Sequence, residues 1–109
     1  MKEGMPTLDQ LRVLLAVVDH GSFSAAARRL NRTQSVVSYA IAQIEAQLGL
    51  SLFDRTGRRP VLSEAGRVVL ADTRQLFSAV DALRARALGL TKGLEAEVSL
   101  AVDVMFPTG

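Results

Sequence analysis

Residues 22–66, SFSAAARRLNRTQSVVSYAIAQIEAQLGLSLFDRTGRRPVLSEAG, constrain this chain more than any other part of it. Ser22 can cap a short helix over residues 23–30, and its small Ala25, Ala26 and Ala27 let another helix approach closely. Asn31 tolerates the left-handed backbone that a tight turn needs. Thr33 can cap a longer helix over residues 34–48, where Val37, Ile41, Ile44 and Leu48 make one buried stripe before Gly49 ends it. Residues 52–55 and 60–62 are short extended pieces around a Thr-Gly-Arg-Arg turn, with Pro60 suited only to an edge. The segment therefore reads as helix, turn, helix and small basic hairpin.

The flanks read as its support. Residues 1–5 look like a loose leader, and Thr7-Leu8-Asp9-Gln10 is a capping-box pattern after Pro6. Leu8, Leu11, Leu14, Leu15 and Val18 then recur at helical spacing, so a first helix is expected over 8–20 with Gly21 as its stop. Ser63 can cap a fourth helix over 64–88, about 40 Å long. Its Val69, Leu70, Thr73, Leu76, Phe77, Val80, Leu83 and Ala87 share one broad side. The far half has nothing of its own chain to cover it. A second copy is the natural partner, with folding back on the first helix as the alternative. Residues 89–93 read as a hinge and 97–102 alternate like a strand, the first of a further domain.

Length allows one compact domain of 109 residues, and the charge is unevenly spread. Segment 21–62 holds six arginines (28, 29, 32, 55, 58 and 59) against Glu45 and Asp54, while the whole chain nets only +2. Arginine without lysine favours bidentate contacts to phosphate or guanine. The few aromatics argue against single-strand binding by base stacking. The sequence holds no cysteine, hence no disulfide frame or thiolate metal site. The longest aliphatic run, 13–18, is too short to span a membrane, and no cleavage-site pattern follows it, so a cytoplasmic home is expected.

With Val37 at the centre of the buried stripe, Ser35, Ser38, Tyr39 and Ala42 fall on the opposite side at about 100° per residue, and Gln34 sits at the N-terminal end. Such a short, polar, uncharged patch suits base edges in a major groove: Gln with adenine, Ser with several bases, and Ala40, Ala42 or Val36 with a thymine methyl. Arg55, Arg58 and Arg59 on the hairpin would neutralise phosphate or enter a narrow minor groove, and Arg32 beside the turn is a further candidate DNA contact. Ser22, Thr33 and Ser63 are caps first and phosphate ligands second.

In LDQLRVLLAVVDHGSFSAAARRL, TQSVVSYAIAQIEAQLGLSLFDR and RRPVLSEAG, in that order and spacing, the chain resembles the LysR-type transcriptional regulators over about residues 6–90. The resemblance implies a mainly α fold: a winged helix-turn-helix of three helices plus a small β-hairpin wing (6–63), followed by a long dimerisation linker helix (64–90). It implies sequence-specific binding to a dyad operator in double-stranded DNA, with base-reading positions at Thr33, Gln34, Ser35, Ser38 and Tyr39, and basic contacts at Arg55, Arg58 and Arg59. It also implies a homodimer through Val69, Leu76, Phe77, Val80 and Leu83. When full length, it implies a tetramer with a small-molecule effector in a C-terminal domain that 91–109 would begin. No cofactor is expected in the 109 residues themselves. The family often has Arg, Gln or His where this chain has Tyr39, and Ala where it has Val36, so no relative's base preference carries over.

Two rival readings differ in class. Catalysis is poorly supported, because His20 is the sole histidine, no Gly-rich phosphate loop follows a strand, and no metal-ligand cluster exists. A winged helix that binds protein would not require the arginine cluster. A DNA-binding winged helix of another family, such as the molybdate-sensing regulators, would differ in the linker helix and the domain after it.

Overall fold

The structure, a computed structural model, describes residues 4–57 and 59–104, with side chains described through residue 93. Three capped helices come first. Thr7 and Gln10 satisfy each other's backbone N–H groups (3.0 and 3.1 Å), opening α1 (Leu8–His20), which Gly21 closes at φ 85°. Ser22 Oγ accepts from the Ala25 N–H at 3.0 Å and starts α2 (Phe23–Leu30). Asn31 ends it at φ 57°, the conformation its short polar side chain tolerates. Thr33 Oγ1 accepts from the Val36 N–H at 3.1 Å and starts α3 (Gln34–Leu48).

A two-stranded antiparallel hairpin follows, β1 (Phe53–Asp54) with β2 (Val61–Leu62), pairing Phe53 with Leu62 and Asp54 with Val61. Ser63 then caps α4 (Glu64–Val104): its Oγ accepts from the Gly66 N–H at 2.8 Å and donates to the Ser51 carbonyl at 2.6 Å. Gly66 passes so close to the hairpin that a Cβ there would collide with the Leu52 carbonyl oxygen.

The chain divides into two units, the first closing at Arg74 and the second opening at Gln75. In the first, α1, α2 and α3 pack on one another around Leu11, Val13, Leu14, Val17, Ala26, Ala27, Val37, Ile41 and Ile44, with Leu52 and Phe53 added from the hairpin side. The alanines of α2 permit the close helix approach read from the sequence. Thr73 of α4, also buried, returns its hydroxyl to the Val69 carbonyl at 2.7 Å, so its polar group is satisfied within the helix. The second unit is helical to residue 104, and its side chains from 81 to 93 are all exposed.

Three expectations need correction. The hinge at 89–93 and the strand at 97–102 are instead continuous helix, since α4 runs to Val104. Two glycines cost a helix about 1 kcal/mol each, which does not break it. A lone strand has no ladder partner, whereas a helix satisfies its backbone locally. Leu48 does not complete the α3 stripe: it is 40% exposed, because Gly49 turns the chain immediately after it. The buried face of α1 centres on Val13, Leu14 and Val17, leaving Leu8 exposed and Leu15 and Val18 half-buried.

Candidate nucleic-acid interface

Burial of Val37, Ile41 and Ile44 fixes the roll of α3 and turns Gln34, Ser35, Ser38, Tyr39 and Ala42 outward. These five line one shallow depression together with Arg55 from the hairpin. A neighbouring cleft of about 250 Å³ is lined by Phe23, Ser38, Arg55, Gly57 and Pro60. Ser38 and Arg55 belong to both, so one surface runs from the outer face of α3 to the hairpin. Val36 (47% exposed) stands beside it, and Tyr39 (66% exposed) is its most prominent aromatic, its hydroxyl accepting from Gln43 Nε2 at 2.7 Å.

Arg55 has two neighbours. Its guanidinium carbon lies 5.3 Å from the Phe23 ring centroid, and its Nη2 is 4.0 Å from Glu45 Oε1. The other Glu45 oxygen accepts from the Leu52 N–H at 2.8 Å. In the adjoining turn, hydrogen bonds from the backbone and hydroxyl of Thr56 hold the Asp54 carboxyl below its ordinary pKa. Arg59 is exposed, and Arg58 lies outside the described residues.

The remaining candidates divide by what already occupies them. Ser22, Thr33 and Ser63 spend their side-chain oxygens on helix caps, as read from the sequence, and Ser63 also spends its proton on Ser51. Arg32 makes a bidentate pair with Asp9, 2.8 Å on each arm. Hydrogen bonding to Arg32 is the main cause of the Asp9 carboxyl lying below its ordinary pKa. The pair's contribution is therefore complete above the ordinary carboxylate range and fades as pH falls through the lowered Asp9 value. Arg32 thus ties the turn before α3 to the start of α1, and part of its charge is already answered. A second tie, Arg74 to Asp19 at 2.8 Å, fastens α4 to the end of α1 within the same unit.

Sequence reasoning missed Phe23, Glu45 and Gly57 as parts of this surface. In the segment 52–55 read from the sequence as extended, Phe53 and Arg55 are two apart, and an extended chain puts such residues on one side. That spacing is a usable signal, but nothing in the sequence says that the start of α2 lies against that side. Among the described residues, no group of three or more His, Cys, Asp or Glu could hold a metal ion, and no helix is long and apolar enough to cross a membrane.

A helix-turn-helix that exposes a polar face on its second helix, beside a two-stranded basic hairpin, defines a winged helix-turn-helix domain. Residues 8–67 match the pattern of bacterial regulatory helix-turn-helix proteins of the lysR family. The chain belongs to that family. It is 38% identical over 107 residues, 98% of its length, to a probable HTH-type transcriptional regulator, YhaJ, of Escherichia coli K12, covering 36% of that protein. It is 40% identical over 94 residues, 86% of its length, to the HTH-type transcriptional regulator AceR of Acinetobacter baumannii, covering 32% of it. The chain thus spans about a third of the length of these curated relatives. Among solved structures, the DNA-binding domain of BenM in complex with catB site 1 DNA superposes with a TM-score of 0.77 at 30% identity, over 80% of this chain and 94% of that one. The DNA-binding domain of CbnR, also solved with DNA, gives 0.73 at 29% identity, over 78% and 98%.

Proposed function

We propose that this chain is the sequence-specific DNA-binding part of a transcriptional regulator, with α3 in the major groove and the hairpin on flanking phosphate or the minor groove. The observation that carries this reading is the single surface on which Gln34, Ser35, Ser38, Tyr39 and Ala42 meet Arg55. Uncharged polar groups reach base edges there, while arginine at the margin answers phosphate. The BenM and CbnR domains solved with DNA support it, since the chain shares their fold at about 30% identity. Exposed Arg59 extends the cationic margin, and a cytoplasmic location follows from DNA as the ligand.

Fluorescence-anisotropy titration against random and dyad-containing duplexes at several salt concentrations tests this. Gln34→Ala or Ser38→Ala is expected to reduce discrimination between the two duplexes more than total affinity. Equal losses on both would remove base reading from α3. Arg58→Ala with Arg59→Ala is expected to weaken binding to every duplex and flatten the salt dependence, by about 0.9 in log–log slope for each phosphate left unneutralised. An unchanged slope would take the hairpin out of the interface.

The reading includes a homodimer through α4. Leu76 and Leu83 are 42% and 58% exposed and lie seven residues apart, hence on one helix face, with half-buried Val69, Phe77 and Val80 on the same broad side. A second copy is the cover that suits such a stripe. Replacing Leu76 and Leu83 by Asp is expected to halve the mass in sedimentation while leaving the helical signal of the first unit intact. Unchanged mass would place the seam elsewhere. In a protein of the relatives' length, a C-terminal domain would hold the small-molecule effector and pair dimers into a tetramer.

A further inference from the structure

We propose that Phe23 is a positioning residue for DNA binding: its ring is the platform that aims Arg55 at the boundary between the recognition helix and the hairpin. The inference rests on the DNA-binding reading and names a residue which that reading does not use. Phe53 of β1 and Arg55, just past the end of that strand, both meet the Phe23 ring. Phe53, buried in the core, holds that ring edge-to-face with centroids 5.6 Å apart. On the same ring the Arg55 guanidinium lies 5.3 Å from the centroid. The core therefore fixes the ring, and the ring fixes the cation.

Such a platform has a physical purpose. A free arginine loses several rotors on gripping a phosphate or a base, and a guanidinium already lying on an aromatic face loses fewer. The Arg55 side chain is 52% exposed, so stacking restrains it without hiding its donors. Glu45, anchored by the Leu52 N–H, stands 4.0 Å from the Arg55 guanidinium as a second neighbour. At that separation and exposure the ion pair adds little attraction, which leaves the ring as the main restraint. Phe23, Ser38 and Arg55 line the same cleft, so the platform opens directly onto the proposed DNA surface.

The test is a double-mutant cycle on the whole chain, using Phe23→Leu, Arg55→Gln and both together, read as affinity for a dyad duplex. Phe23→Leu keeps apolar bulk and removes the π face, and it is expected to weaken binding about two- to fivefold. In the Arg55→Gln background it is expected to change affinity no further. Phe23→Tyr, which keeps the face, is expected to restore binding. Thermal melts of each variant separate this from a loss of folding. NMR of the unbound protein supplies a reading free of DNA: ring-current shielding should move the Arg55 Nε–H resonance upfield, and Phe23→Leu should abolish the shift. Additive losses, a Phe23→Tyr variant as weak as Phe23→Leu, or an unshifted Arg55 resonance would each overturn the positioning role. A shifted resonance in a wild-type chain that binds no duplex would overturn the DNA-binding reading, and the role with it.

Discussion

Ile41→Ala is expected to cost about 2–5 kcal/mol of folding stability, lowering the melting temperature by roughly 10 °C or more. Ile41 is fully buried on the inner face of α3 between Val37 and Ile44. Truncation removes its transfer energy and leaves a cavity that three packed helices cannot close. Tyr39→Ala, two residues away on the outer face, is expected to change stability by no more than about 0.5 kcal/mol, because a 66% exposed side chain gives up little packing. Its deficit should appear in DNA discrimination instead. Thermal melts and duplex titrations on the two variants separate the faces. A destabilised Tyr39→Ala, or an unaffected Ile41→Ala, would mean that the roll of α3 is wrong.

Gly66→Ala sets two effects against each other. In an ordinary helix interior alanine is favoured over glycine by about 1 kcal/mol. Here the added methyl would collide with the Leu52 carbonyl oxygen and crowd Leu62 Cδ2, 2.9 Å away. The carbonyl cannot retreat freely, since it accepts from the Ser63 N–H at 2.9 Å beside the cap of α4. Overpacking of this kind costs about 1–3 kcal/mol, and a backbone obstacle puts the site at the upper end. The collision therefore outweighs the propensity, and a net loss is expected, visible in a melt and in disturbed amide resonances at the hairpin. Gly89→Ala is the control: its methyl would meet nothing within 4 Å, so the propensity gain should stand alone. If Gly66→Ala also stabilised the protein, the hairpin and α4 would not pack as described.

Much of the fold was legible because it rests on local rules. Thr7, Ser22 and Thr33 announce helix starts, and Gly21, Asn31 and Gly49 announce ends, each through interactions with the neighbouring turn. The outward face of α3 was legible too, since the spacing of Val37, Ile41 and Ile44 fixes which residues oppose them. The reading failed at 89–104, where an alternating pattern and two glycines suggested hinge and strand. Alternation carries information only when a partner strand exists to use it, and among the described residues the sole ladder is the hairpin.

Charge was legible as an excess in one segment but not as pairs. Asp9 finds Arg32 across 23 residues, and Asp19 finds Arg74 across 55. Nothing in the one-dimensional order selects those partners from the other acids and bases. The first pair makes Arg32 a strut between the turn before α3 and the start of α1, and no composition argument could have shown that.

The limits of the first three helices, their caps, the roll of the recognition helix and the segment that gathers positive charge were therefore determined by the sequence alone. Each depends on residues within about one turn of one another or on a period set by backbone geometry. The tertiary structure decided what stands beside what: Phe23 under Arg55, Glu45 near it, Gly66 against Leu52. Those neighbours are chosen when apolar faces close on one another, and that closure is a property of the whole packed core rather than of any local run of residues.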